Sequence, residues 1–145
     1  MFPKNNTLVP VVTRNLRDFT LKDALKALGI DEVIVYCCND GAVMRAWQID
    51  QKTAGSMLNV FGDPLCEFTA ACGMELTHPG PHSLGLVRRC KRWAMYVKNN
   101  IVEYVAVSEA ENDPAGDDFP EATCAPAIIE AIHALEAGQR QNGPR

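Results

Sequence analysis

Apolar and polar positions follow two different periods along the chain, and the changes of period mark the predicted elements. Over 15–28 the apolar residues recur near helical spacing, which predicts a helix that Gly29 ends. The continuous apolar, β-branched run 32–38 is typical of a buried parallel strand. The Asn-Asp pair that follows it can cap a helix over 42–52. The first third of the chain therefore alternates helices with a strand.

The middle of the chain continues this alternation and then loses it. The segment 57–63 predicts a second short strand, and 64–73 a helix with Pro64 in its first turn. From Glu75 to Leu86 glycine and proline interrupt both periods, which predicts a loop.

The last third favours a hairpin followed by a helix. "RWAMYV" and "IVEYVAV" flank Asn99-Asn100, a sequence typical of two antiparallel strands joined by a tight turn. "EAENDP" and "GDD" predict a solvated acidic loop. An amphipathic helix follows over 125–137, and 138–145 are expected to form a flexible tail.

Strands that alternate with helices predict parallel pairing with right-handed crossovers, and the late hairpin adds antiparallel strands. We therefore expect one domain, residues 1–145, with a three-layer α/β fold of thioredoxin type, a mixed sheet and a truncated or remodelled N-terminus. A strand should precede the first helix. Thr7–Val12 is the candidate, and Pro10 within it predicts an edge or partial strand.

Composition and charge exclude several classes of function. The chain is 47% hydrophobic and 22% charged, as soluble globular proteins are. Its net charge of −4 argues against nucleic-acid or anionic-membrane partners, and no apolar run is long enough to span a bilayer. Residues 1–17 contain three cations and no acid, as transit peptides do, but no amphipathic helix. We expect a cytoplasmic protein, with mitochondria or another organelle as the alternative.

The six cysteines are expected to be reduced thiols, because the chain has no signal peptide and enough apolar residues for a core. Cys90 lies among cations that favour a thiolate, so it is either a redox-sensitive site or an incidental thiol. A zinc site is the weaker alternative, because Cys66 and Cys72 are too far apart on one short helix. The residues weighed for that site are Cys66, Cys72, His78 and His82.

Other conspicuous side chains are expected to be structural. Trp47, Trp93 and Met95 fall at apolar positions of predicted elements and should lie in the core. His133 should be a surface or packed residue of the last helix.

The stretch "VRRCKRWAMYV" places four cations within five residues, directly before a predicted buried strand. Like charges in such proximity repel each other, so either this segment is a solvated turn or an anionic group lies opposite it.

Four blocks of the sequence, in this order, resemble the type II, or atypical two-cysteine, branch of the peroxiredoxins. They are "ALKALGIDEVIVYCCNDGAVMRAWQIDQK", "DPLCEFTAACGMELTHPGP", "CKRWAMYVKNNIVEYV" and "DPAGDDFPEATCAPAIIEAI". The resemblance implies a thioredoxin-like fold and the thiol-dependent reduction of hydroperoxides. It also implies a role in antioxidant defence and cell redox homeostasis.

In that family a peroxidatic cysteine at a helix N-terminus is stabilised by an arginine from a distant strand. The "KRWAM" block places Arg92 where that arginine belongs, and Cys124 lies near the position of the resolving thiol. The segment Asn5–Phe19, which should hold the peroxidatic cysteine, contains none. We therefore predict a peroxidase of degenerate active site, weakly active or inactive.

The resemblance also implies partners. No metal or organic cofactor is expected, and glutathione, glutaredoxin or thioredoxin would supply electrons. One alternative is a non-catalytic binding module that forms a homodimer, or a heterodimer with a full-length relative. Another is a weak thiol reductase that uses Cys37, Cys38 or Cys90.

Overall fold

The computed structural model describes residues 6–10 and 22–141, and its strands form one mixed sheet. The strands are β1 (Asn6–Pro10), β2 (Glu32–Cys37), β3 (Leu58–Gly62), β4 (Trp93–Lys98) and β5 (Ile101–Val107). The helices are α1 (Lys22–Ala27), α2 (Gly41–Asp50), α3 (Glu67–Ala71), α4 (Pro79–Ser83) and α5 (Ala125–Gln141), with a 3-10 turn at Pro120–Thr123.

The sheet has the order β3-β2-β1-β4-β5, so β1 lies at its centre. It pairs parallel to β2 on one side and antiparallel to β4 on the other. The prediction of an edge strand was therefore wrong, although the strand is short. Pro10 is its last residue, opposite Ala94, so the missing N–H affects only the end of the ladder.

Helices pack on both faces of the sheet, which is the three-layer arrangement expected. One face carries a core of aliphatic side chains from β2, β4 and β5 under α1 and α5, with Trp47 of α2 packed against it. The other face carries an aromatic cluster in which Tyr36, Phe68 and Trp93 meet edge-on or stacked. Trp93 is fully buried, and Trp47 and Met95 pack against these clusters, so their prediction as core residues is confirmed.

Local signals placed the ends of two helices correctly. Gly29, with a φ of 72°, donates its N–H to the Lys26 carbonyl at 2.9 Å and ends α1. The Asp40 carboxylate accepts the N–H groups of Ala42 and Val43 at 2.8 and 2.9 Å and begins α2. The predicted residues 15–21 of the first helix lie outside the described residues, as does most of the N-terminus that we expect to be truncated or remodelled.

Two predicted elements need correction, the start of the third helix and the loop that follows it. The third helix begins at Glu67, not at Pro64, because Cys66 before it has a left-handed φ of 56° that a helix cannot contain. The predicted loop 75–86 contains α4. His78 caps the start of this helix, because its Nδ1 accepts the Gly80 N–H at 3.0 Å.

The structure confirms one prediction for the last third of the chain and corrects another. Asn99 and Asn100 both have positive φ, 52° and 65°, so the predicted tight turn between β4 and β5 is confirmed. The last helix runs on through Gln141, so residues 138–141 of the expected tail are helical. Residues 142–145 lie outside the described residues.

Candidate active site

Arg92 lies immediately before β4 and is 7% exposed, so its cation must find partners inside the protein. Its backbone is bound on both sides: the N–H donates to the Gly116 carbonyl at 3.0 Å, and the carbonyl accepts the Ser108 N–H at 2.9 Å. The bond from Ser108 extends the pairing of β4 with β5 by one residue, and the bond to Gly116 joins Arg92 to the acidic loop. They aim the side chain toward the start of α5.

The guanidinium is held by the turn that precedes α5. Its Nε donates to the Thr123 hydroxyl at 2.9 Å, and that hydroxyl also lies 2.9 Å from Ser108 Oγ. Thr123 and Ser108 are both fully buried. The Thr123 hydroxyl accepts the Nε–H of the guanidinium. The two terminal nitrogens, which form the fork of the guanidinium, remain available to contact other groups.

The Cys124 thiol is the next group along the fork. Arg92 Nη2 lies 3.6 Å from Cys124 Sγ, and the thiol in turn donates to the Pro120 carbonyl at 3.2 Å. Cys124 precedes the first residue of α5, and its carbonyl accepts the Ile128 N–H at 3.2 Å. The half-exposed sulfur therefore lies between a guanidinium and the N-terminus of a long helix. Both features place positive charge or dipole beside it.

The structure thus brings together Arg92 and Cys124, the two site residues named from the sequence. The absence of cysteine from residues 5–19 is a property of the sequence. Residues 11–21 lie outside the described residues.

The acidic loop also contributes to the site, which the sequence interpretation missed. Asp113, expected to be solvated, is 2% exposed. Its carboxylate accepts the N–H groups of Ala115, Gly116 and Asp118 at 2.8 to 2.9 Å. Burial acts to raise the pKa of Asp113, but these backbone donors outweigh it and hold the pKa below its usual range.

The Asp113 bonds present the Gly116 carbonyl to Arg92. Gly116 has a φ of 71°, and a Cβ there would meet Leu76 Cδ1 at 3.0 Å and the Lys91 Cα at 3.3 Å. An Asp followed by a Gly three residues later, in "DPAG", is a turn signal that could have identified this support.

The other cations of the basic stretch have separate surroundings. Lys91 forms an ion pair with Glu109, and both side chains are about one-quarter exposed, at 22% and 28%. Arg88 and Arg89 are exposed. Each of the two alternatives therefore holds for part of the stretch: Arg88 and Arg89 are solvated, and Lys91 lies opposite an anionic group.

Three further thiols influence one another's pKa. Cys37 and Cys38 lie at the carboxyl end of β2, and Cys90 lies two residues before Arg92. The Cys90 side chain lowers the pKa of Cys37 to about 7 and that of Cys38 to about 6, although burial opposes both shifts. The Cys37 and Cys38 side chains, together with burial, raise the pKa of Cys90 above its usual range.

Two polar side chains contact the sulfurs of Cys37 and Cys38. Thr69 Oγ1 lies 3.3 Å from Cys38 Sγ, and Asn39 Nδ2 donates to Cys37 Sγ at 3.3 Å. Cys66 is buried at the start of α3, and burial raises its pKa to about 12.

The residues weighed for zinc do not assemble. Within residues 6–10 and 22–141 no group of three or more histidine, cysteine or acidic side chains could hold a metal ion. Cys66 and Cys72 lie at opposite ends of α3, and His78 caps α4 instead. His133 is exposed on α5. None of the described helices is long and apolar enough to cross a membrane.

No family model matches the chain. The hybrid peroxiredoxin hyPrx5 of Haemophilus influenzae is 33% identical over 117 residues, which are 81% of this chain and 40% of that protein. The curated relatives that the chain matches are longer, and it spans 40 to 50% of their length.

Solved structures agree with these relatives. Reduced Prx3 from Vibrio vulnificus superposes with a TM-score of 0.72 at 27% identity, covering 89% of this chain and 81% of that one. Peroxiredoxin 5 from Alvinella pompejana, at 22% identity, shares the fold with a TM-score of 0.68 over 92% of this chain and 82% of its own. From its sequence relatives and its fold, the chain belongs to the peroxiredoxin family, in the peroxiredoxin 5-like branch.

Proposed function

We propose that this chain is a weak thiol-dependent hydroperoxide reductase at most, and that any such activity resides in Cys124 beside Arg92. The observation that carries the proposal is the 3.6 Å separation of Arg92 Nη2 and Cys124 Sγ. No cysteine occurs in residues 1–36, so the chain offers no thiol where the family's peroxidatic cysteine would stand. Peroxide reduction needs a thiolate, and hydroxyl side chains cannot replace it.

The chemistry open to this pair is a two-electron transfer. The Cys124 thiolate attacks one peroxide oxygen, the O–O bond breaks, and the departing oxygen takes a proton to leave as water or an alcohol. Cys124 is then a sulfenic acid, which two thiol equivalents return to the thiol with release of water. The Arg92 fork would hold the departing oxygen while it gains negative charge.

Two contacts argue that this reaction is slow. Arg92 Nε is already engaged by Thr123, so only the terminal nitrogens remain for sulfur and peroxide. The Cys124 thiol donates its proton to the Pro120 carbonyl, a bond that is lost when the thiolate forms. The electron donors we propose are glutathione, glutaredoxin or thioredoxin.

Peroxide consumption with dithiothreitol as electron donor tests the proposal. We expect slow turnover that Cys124→Ser abolishes and Arg92→Lys, which keeps the charge but loses the fork, reduces by roughly ten-fold or more. Cys72→Ser removes a half-buried thiol outside the pair and should leave the rate unchanged. A rate equal to that of an ordinary family member, or full activity in Cys124→Ser, would refute the proposal.

A second candidate function is a non-catalytic dimerisation or binding module. It is favoured by one short segment after α4 in which Leu84, Leu86 and Val87 are 78%, 44% and 55% exposed. The partner would be a second copy of the chain or a full-length relative. Sedimentation of the protein alone and with a relative should show a complex that Leu84→Asp weakens; a monomer in both experiments would exclude this function.

For location we propose the cytoplasm, with an organelle as the alternative. A relative from Lipomyces kononenkoae, 33% identical over 82 residues, is described as peroxisomal. The net charge of −4 gives no support for a nucleic-acid partner. Imaging of the tagged full-length protein in its own cells distinguishes the two locations.

A further inference from the structure

The segment 84–89, "LGLVRR", combines exposed apolar side chains with exposed cations. Leu84, Leu86 and Val87 are 78%, 44% and 55% exposed, and Arg88 and Arg89 follow them on the surface. The Leu86 N–H and the Arg89 carbonyl each form a backbone hydrogen bond, at 3.0 and 2.8 Å, that fixes the segment to the rest of the protein. These six residues form the basic segment, a surface that is both apolar and positively charged.

A groove of about 680 Å³ lies between α5 and β5. This volume is within the range of roughly 300–1,000 Å³ found for sites that bury a drug-sized molecule. The lining is mostly small and apolar, and it consists of Tyr104, Ala131, Ala134, Leu135, Gly138 and Gln139. Ala134 and Gly138 are exposed, so apolar side chains from another molecule can enter this α5 groove.

Acidic side chains border the α5 groove. Gln139, which lines it, donates from Nε2 to Glu103 Oε2 at 3.3 Å. Glu130 is exposed on α5, four residues before a lining alanine and therefore on the same side of the helix. Lys98 lies at this end of the sheet as well, but it forms an ion pair with Glu136. The carboxylates of Glu103 and Glu130 thus give the border a charge opposite to that of the basic segment.

The basic segment and the α5 groove lie at opposite ends of β4. The segment ends three residues before Arg92, which precedes β4. The ion pair of Lys98 and Glu136 joins the far end of β4 to the half of α5 that lines the groove. A strand of six residues is about 20 Å long. The basic segment therefore cannot fill the groove of its own chain.

We propose that the basic segment of one copy docks into the α5 groove of a second copy, head to tail. The apolar side chains of the segment enter the groove, and Arg88 and Arg89 face the carboxylates at its border. In a two-fold contact between the segments themselves, the guanidiniums of both copies would face each other and repel. Charge complementarity thus favours the groove as the partner surface.

This inference rests on the dimerisation function proposed above and assigns its two surfaces. It does not depend on peroxide reduction. A head-to-tail contact leaves one groove and one segment free at the ends of each complex, so association continues into longer chains or closes into rings.

Sedimentation velocity of the full chain at rising protein concentration tests the contact. We expect species larger than the monomer, and fewer of them in high salt, because salt screens exposed charges. Ala134→Trp fills the groove, and Leu84→Asp replaces an apolar anchor with an acid. Each should weaken association at least about ten-fold. Ala137→Trp is the matched control, because Ala137 is exposed on α5 but does not line the groove, and it should associate as the parent does.

A mixture of the two weakened variants identifies the geometry. Ala134→Trp keeps an intact basic segment, and Leu84→Asp keeps an intact groove. Equal amounts of both should therefore form a dimer with one copy of each and nothing larger. This dimer also shows that both variants are folded, which circular dichroism checks before mixing.

Association of Ala134→Trp equal to that of the parent would overturn the groove as the partner surface and leave the dimerisation function intact. A mixture that stays monomeric would overturn the head-to-tail geometry. A parent that is monomeric at every concentration would contradict both this inference and the dimerisation function. None of these outcomes bears on Cys124, whose activity the peroxide assay measures separately.

Discussion

Arg92 and Cys124 lie 32 residues apart in the chain, yet Nη2 of the first is 3.6 Å from Sγ of the second. Thr123 Oγ1 is 2.9 Å from Arg92 Nε and fixes the guanidinium for this contact. The pair therefore depends on the turn before α5 as much as on β4, which makes both elements targets for mutation.

Thr123→Val should destabilise the protein by about 1–3 kcal/mol, because it leaves a buried guanidinium N–H without its acceptor. Thr123→Ser keeps the hydroxyl and should cost less. Urea unfolding of the three proteins measures the difference in unfolding free energy. Equal stability of the valine and serine variants would show that the hydroxyl does not hold Arg92.

Asp113→Asn should lower the unfolding free energy at neutral pH. It should also make that free energy vary less with pH in the acid range. The folded-state pKa of Asp113 lies below its unfolded value. Its contribution is therefore complete above the unfolded pKa of about 3.9 and is lost as pH falls through the folded pKa.

Thermal unfolding between neutral and acid pH measures this effect. Hydrogen bonds to a charged group contribute about 1.5–3 kcal/mol, so a loss of that order is expected for Asp113→Asn. The exposed Asp118 gives the control variant Asp118→Asn. Identical pH profiles for the two variants would contradict the role assigned to the Asp113 carboxylate.

Gly116→Ala should cost more than Gly85→Ala, although both glycines have positive φ, 71° and 75°. The strain of a side chain in that conformation, about 1–2 kcal/mol, is common to both. Only at Gly116 does the new Cβ meet neighbours, Leu76 Cδ1 at 3.0 Å and Lys91 Cα at 3.3 Å, whereas nothing lies within 4 Å at Gly85. Denaturation midpoints compare the two, and equal losses would mean that the Arg92 segment yields to the added methyl.

Cys90→Ala should raise the pKa values of Cys37 and Cys38 from about 7 and about 6, because the Cys90 side chain is the largest cause of both lowered values. Cys90→Ser retains a hydrogen-bond donor, so it is the matched control and should raise them less. Thiolate absorbance followed from acid to alkaline pH measures both values. An unchanged titration in Cys90→Ala would show that Cys90 does not set these pKa values.

The sequence alone was sufficient to predict those features whose physical cause is local. The turn at Asn99-Asn100 followed from two residues that tolerate positive φ, and the start of α2 from the Asp40 carboxylate. Arg92 was found because a contiguous block, "KRWAM", carries the family resemblance. Each of these signals lies within a few residues of the feature it predicts.

Only the tertiary structure decided which distant segments meet. It placed β1 at the centre of the sheet. Pro10 lacks a backbone N–H, but it is the last residue of β1, so β1 still pairs with both β2 and β4. It buried Asp113 and brought Cys124 to Arg92. Contacts across dozens of residues depend on how the strands stack, and no period or spacing in a single sequence encodes that.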